Sequence, residues 1–473
     1  MKMFRFIAGP LLGAILFGLL TQYFVLETPA AAVAMLSLWM ALWWVTEAVP
    51  LELTALLPML VLPLTGLYPE NAMMKSCAPY AHESVYFFLG GFGLGLAIEK
   101  TTLHRRGALF LLRWAGSNAA TVVGTFMLCT ALLSMWMNNT ATTMLMLPLA
   151  MSVIATQENR RFATSLLIGV AYAASIGGMG TLIGTAPNIF FAGFLEQNNI
   201  ELGFLNWMAI ALPIVATLLV GCWVWMVWIL WPMGDLKVEV PSAWKEEWAS
   251  NPSFTAKQTT TLIIFSIAAC MWILRDPMLA YFDGTTVGTW IKLINDPWIA
   301  MASMASLLIF PIGSPVLEWA DIERIPWGVL LLFGGGLSLS IAISASGLDK
   351  HIAAIASQLH GVPTYLLITC VVILVIAISE LASNLATATT MIPILMSAAP
   401  AMGIDPLTLL SATVLASSCG FMMPVATPPN TLVFAQRRFP VRDMLLAGLG
   451  LNILSAIAIP FFVLWILPWV VRR

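Results

Sequence analysis

Two stretches of this chain, SMWMNNTATTMLMLP from Ser134 to Pro148 and SELASNLATATTMIP from Ser379 to Pro393, align without a gap at an offset of about 245 residues. The alignment pairs Ser134 with Ser379, Asn139 with Asn384, Ala141 with Ala386, Thr142 with Thr387 and Pro148 with Pro393. Both stretches lie between long apolar runs. Polar side chains within such runs are costly and need partners. A cluster of this kind kept twice, at corresponding places, is hard to read as ordinary packing. It reads as a binding site built from two related halves.

The composition sets the solvent. Of 473 residues, 60% are hydrophobic and 9% charged, against roughly 25% charged in a soluble domain. The chain therefore reads as a polytopic helical membrane protein. Some of its 21 Lys and Arg residues fall in short clusters, among them Arg105-Arg106, Arg160-Arg161, Arg437-Arg438 and Arg472-Arg473. No basic tract interleaved with aromatic residues suggests nucleic acid. The six cysteines are scattered without a C-x-x-C pair, which predicts core packing rather than a disulfide framework or metal site. The opening MKMFRFIAGPLLGAILFGLL shares its positive start with signal peptides but is long enough to span a bilayer, and is read as a retained first helix. Lys2 and Arg5 place its start on the cytoplasmic side.

Two apolar runs follow, about 31 to 45 and 51 to 66, split by WWVTEAVP at Trp43 to Pro50. The Gly-rich stretch His82 to Lys100 is expected to form a re-entrant hairpin. The run 107 to 133 leads into the first polar cluster, and GGMGTLIGTAPN at Gly177 to Asn188 interrupts the next span. Residues 205 to 231 form one long span. The second half repeats the plan: a Gly-rich stretch at Ile325 to His351, the polar cluster, then CGFMMPVATPPN at Cys419 to Asn430 and a closing span at 443 to 470. Gly90-Gly91 corresponds to Gly334-Gly335, Ser175 to Ser417, Gly178 to Gly420, Thr185 to Thr427, Pro187 to Pro429 and Asn188 to Asn430. Three elements recurring in order indicate an internal duplication, with an N-terminal half at 1–233, a polar linker at 234–260 and a C-terminal half at 261–473.

Paired Gly/Pro-interrupted segments in two halves point to a transporter site near the membrane midplane. Asn and Thr oxygens with freed backbone carbonyls suit a small hard cation. Asn amide groups, hydroxyls and N–H groups at helix starts suit an anion. The bland alternative is helix–helix hydrogen bonding by Asn138, Asn139 and Asn384, with Ser and Thr bonded to their own helices. Glu380 is the acidic residue in the right neighbourhood for a proton or cation site. No G-x-S-x-G or H-E-x-x-H pattern supports an intramembrane enzyme, so no catalytic residue is assigned.

At these residues the chain resembles the divalent anion/sodium symporter family, which includes sodium-coupled dicarboxylate and citrate transporters. The resemblance spans nearly the whole chain: WWVTEAVP, the Gly-rich stretches, the two Asn-centred clusters and the two T-x-P-N segments. It implies an all-α inverted repeat of about eleven transmembrane helices with two re-entrant hairpins. It also implies a homodimer in the bacterial inner membrane, in contact with lipid and working by an elevator motion. The expected function is sodium-driven symport of a di- or tricarboxylate. The alternatives are sulfate or another oxyanion, proton coupling, or anion exchange.

Carried over, the resemblance places Ser134, Asn138, Asn139 and Gly184 around one sodium ion and Ser379, Asn384 and Ala426 around another. Asn139, Thr140, Ser383, Asn384, Thr427 and Pro429 would face the substrate. Two positions depart from the family's Ser-Asn-Thr pattern. Asn138 replaces a Ser in the first motif and Leu385 replaces a Thr in the second. Loss of a hydroxyl from a carboxylate site predicts an altered substrate preference.

Overall fold

A computed structural model describes residues 2–471 apart from 23–25, 115, 158, 201, 240 and 242–252. Residues 240 and 242–252 of the expected polar linker, and the Arg472-Arg473 pair, therefore lie outside the described residues. Among those described, the secondary structure is helical, with one isolated bridge between Asn118 and Lys237. Among the described residues, seven helices are long and apolar enough to cross a membrane, including Arg5–Gln22, Thr28–Thr46, Phe204–Leu230 and Val441–Val470. The chain is a multi-pass membrane protein. Helix Lys2–Gln22 packs along Thr28–Thr46, where the Trp43 indole donates to the Phe6 carbonyl at 3.0 Å. The second of these helices stops at Glu47, whose left-handed backbone (φ 47°) breaks the WWVTEAVP stretch into a turn.

Four shorter elements carry the repeated motifs. The first hairpin has arms Ala119–Ser134 and Asn139–Ile154, and the second has arms Thr364–Ser379 and Asn384–Ala398. An arm of sixteen residues reaches about 24 Å at a rise of 1.5 Å per residue, less than the roughly 30 Å of hydrocarbon in a bilayer. Such an arm is too short to cross a bilayer by itself. Side-chain caps start the inner arms, from Asn138 to Ala141 N at 2.8 Å and from Ser383 to Ala386 N at 3.2 Å. Two broken helices follow the hairpins. The first runs Arg160–Gly178 and resumes at Ala186–Gln197; the second runs Pro406–Ser417 and resumes at Pro428–Phe434.

Three expectations need correction. His82 to Lys100 is not a re-entrant hairpin: Glu83–Lys100 is one unbroken helix, as is Trp327–Ala345 in the second half. The glycines serve close packing instead. A Cβ at Gly90 would strike the backbone of Ala300 on the neighbouring Asp296–Ile309 helix, and one at Gly334 would strike Tyr80. Lost side-chain volume breaks a helix only where the backbone also has somewhere else to go. Second, residues 256–260 of the expected linker are helical, because Thr255 and Gln258 form a capping box that starts Ala256–Tyr281. Third, the cysteines are not uniformly core residues, since Cys270 and Cys370 are exposed.

The centre of the molecule is the helix Arg160–Gly178, buried along its length from Phe162 to Gly178. It packs against the Ala119–Ser134 arm and against Pro428–Phe434. After the long Phe204–Val224 helix the chain returns to the base of the first hairpin, where Ala119 N donates to Leu236 O at 2.9 Å.

Candidate functional site

Both hairpin tips and both helix breaks meet at one cavity of about 710 Å³. Asn138, Asn139, Thr140, Gly184, Ser383, Asn384, Ala426, Thr427 and Pro429 all line it. Residues from the two halves, some 245 positions apart in the chain, thus share one space. Ser134 and Ser379 lie behind the wall, fully buried. Helix starts at Asn139, Ala186 and Asn384 converge on the cavity, and their free N–H groups and dipoles favour an anion there.

The two tips are hydrogen-bonded alike. Ser134 Oγ lies 2.8 Å from Asn139 Oδ1 and 2.7 Å from the Ala174 carbonyl. Ser379 Oγ lies 2.9 Å from Asn384 Oδ1 and 2.5 Å from the Ser417 carbonyl. A hydroxyl has one proton to give, so in each half two oxygens are left facing one another. Around the first tip, a Cβ added at Gly184 would lie 3.0 Å from Ser134 O, and one at Gly178 would meet Asn139 Oδ1 with Gly184 O at 3.2 Å. Around the second, the corresponding point on Gly420 lies 3.1 Å from Ser379 O and 3.5 Å from Asn384 Oδ1. Each tip therefore gathers neutral oxygens in a small space, the donor set a hard cation takes.

The breaks are held open by a second Asn pair. Asn188 Nδ2 donates to the carbonyls of Met179 at 3.1 Å and Thr181 at 2.8 Å. Asn430 Nδ2 donates to those of Gly420 at 3.1 Å and Met423 at 3.0 Å. These amides replace the N–H groups an unbroken helix would have offered.

Charged groups at the cavity were only partly visible in the sequence. Glu52, Glu99 and His104 line it, and Arg324 lines an adjoining cleft with Glu99 and Asn138. Arg324 pairs with Glu99 at 2.9 Å. It arrives from the connection before Trp327–Ala345, with no motif to mark it. His104 belongs to the Leu103–Leu112 helix, outside the seven candidate spans. Burial holds its imidazole below the ordinary value, opposed by its bond to the Ile98 carbonyl.

A family model described as "Citrate transporter" matches residues 41–414, a stretch that contains both hairpins and the first broken helix. The chain belongs to the citrate transporter family. This family member is 33% identical, over 97% of its length and 91% of the other's, to the sodium-dependent dicarboxylate transporter SdcS of Staphylococcus aureus strain USA300. The same protein from strain MRSA252 matches to the same extent. Its fold is similar to that of the Alcanivorax borkumensis YdaH transporter, with a TM-score of 0.62 over 94% of this chain and 99% of that one at 16% identity. The symporter resemblance read from the Asn-centred clusters is thereby borne out, as is the all-helical membrane class.

Proposed function

We propose that this protein is a sodium-coupled secondary active symporter that carries a dicarboxylate or tricarboxylate across the cell membrane. The observation that carries the reading is the shared cavity. Two neutral oxygen clusters that suit cations flank a space into which helix starts point, the environment for an anion. Among the described residues no Lys or Arg lines that cavity, so co-bound cations are the available countercharge for a carboxylate there. The sodium-dependent dicarboxylate relative supports sodium as the coupling ion and a dicarboxylate as the cargo.

In this reading Ser134, Asn138, Asn139 and Gly184 hold one sodium ion, and Ser379, Asn384 and Ala426 hold the other. Asn139, Thr140, Ser383, Asn384, Thr427 and Pro429 face the substrate. The side chains of Asn138 and Ser383 each accept a helix-cap bond through oxygen, and the Ser383 hydroxyl proton and the Asn138 amide NH₂ remain to be donated. The inverted repeat, the homodimer and the elevator motion belong to the same proposal.

The test is uptake of radiolabelled succinate into proteoliposomes with and without an inward sodium gradient, using citrate and sulfate as competitors. Sodium-dependent uptake is expected, and its loss in an Asn139→Ala/Asn384→Ala protein. Uptake that ignores sodium but follows a proton gradient would overturn the coupling. Displacement by sulfate alone would overturn the cargo.

A further inference from the structure

Glu380 follows Ser379 at the tip of the second hairpin and is buried, at 7% exposure. Its carboxylate is fully enclosed by donors. Oε1 accepts from Phe421 N and Met422 N, both at 2.8 Å, and from Asn452 Nδ2 at 2.7 Å. Oε2 accepts from Met422 N and Met423 N, both at 3.0 Å. No acceptor and no basic side chain is among these partners. The three N–H groups belong to the break in the second broken helix, the segment that carries Gly420 and Ala426.

The first half has no such charge. The position corresponding to Glu380 is Met135, whose carbonyl accepts the Thr181 hydroxyl. There, Met179 N and Gly180 N go to the carbonyls of Ile176 and Gly177 at 3.2 and 2.9 Å. One tip is thus tied to its helix break by a neutral bond and the other by a carboxylate. Oε1 of Glu380 is 2.8 Å from Phe421 N, and the point where a Cβ would sit on the preceding Gly420 is 3.1 Å from Ser379 O. Chaining these lengths through the intervening backbone bounds the carboxylate at about 10 Å from the second oxygen cluster. Inside a protein, away from salt, a charge at that range is felt far more strongly than across water.

We propose that Glu380 is a resident countercharge that makes the two cation sites unequal. Sodium occupies the Ser379–Asn384 side first, in the absence of carboxylate, whereas the neutral Ser134–Asn139 side fills together with the anion. This rests on the sodium-coupled reading above. Glu380 touches neither ion nor substrate in this scheme. It acts through its field and by positioning the break.

The experiment is equilibrium binding of ²²Na⁺ to the purified full-length protein, with and without succinate, for the wild type and for Glu380→Gln, Glu380→Asp and Asn452→Leu. Succinate-free binding is expected to weaken about tenfold or more in Glu380→Gln. It should stay within about threefold in Glu380→Asp, which keeps the charge, and should hold or tighten in Asn452→Leu, which removes a donor and leaves the charge less neutralised. Unchanged binding in Glu380→Gln would overturn the proposal. So would equal weakening in Glu380→Gln and Asn452→Leu, since the tie would then be only structural. If Glu380→Gln does not fold, the other two variants still decide: loss of binding in both overturns the proposal. A wild type that binds no sodium, with or without succinate, overturns the sodium-coupled reading itself, a result distinct from the variant outcomes.

Discussion

Leu385 stands in the cavity wall where the first half has Thr140. The two positions follow Asn139 and Asn384 in otherwise matching tips, so the cavity offers a hydroxyl from one half and an isobutyl group from the other. A hydrogen bond to a carboxylate contributes about 1.5–3 kcal/mol where it forms well. Leu385→Thr is therefore expected to lower the KM for succinate by at least about threefold while leaving the sodium half-saturation unchanged, measured by initial uptake rates. Equal shifts in both constants would mean that the substitution had moved the tip rather than added a donor. The family resemblance marked this position, as a departure from the Ser-Asn-Thr pattern. It did not mark Glu52, which lines the cavity, or Arg324, which lines the adjoining cleft, because neither belongs to a repeated motif.

The elements are held by contacts too close for any side chain. A Cβ at Gly177 on the first broken helix would collide with the backbone of Ala131 on the first hairpin. Overpacking of this kind costs about 1–3 kcal/mol, so Gly177→Leu should lower the melting temperature of the protein in detergent. Gly107, on the Leu103–Leu112 helix, has nothing within 4 Å of its Cβ position. Gly107→Ala there should leave the melting temperature unchanged or raise it, since Ala is the better helix former by about 1 kcal/mol. Sequence reading could not separate these cases. A Gly that lets two helices touch and a Gly that lets a backbone turn leave the same gap in the hydropathy pattern. For that reason the Gly-rich stretch around Gly90 was expected to be a hairpin and is a continuous helix. The true hairpins lie in the stretches whose polar tips the duplication had already identified.

Across the whole molecule, charged groups gather beside the cavity: Glu52, Glu99 and His104 line it, and Arg324 lines the adjoining cleft. The pair of Arg324 with Glu99 in that cleft is largely exposed, with side chains 55% and 39% accessible. Such a pair contributes little to stability, but the guanidinium is placed to attract an arriving anion. Arg324→Ala is expected to raise the KM for succinate about two- to fivefold at low ionic strength. The difference should shrink when choline chloride screens the cleft, because exposed charges lose range with salt. A salt-independent rise would point to a direct contact instead.

What the sequence determined by itself was the solvent and the duplication. Long apolar runs with few charges have no stable home but a bilayer, and a polar cluster kept twice within them declares itself because every such group must find a partner. The pairings of Asn139 with Asn384 and of Asn188 with Asn430 followed from that alone. Only the tertiary structure decided that the two clusters face one cavity, that unbroken helices run where glycines had suggested turns, and that Glu380 is enclosed by the 421–423 backbone and Asn452. Those outcomes depend on which helix lies beside which. Packing in the membrane is set by the fit of small residues and hydrogen bonds across helix faces, a property of pairs of elements that a single chain, read along its length, does not contain.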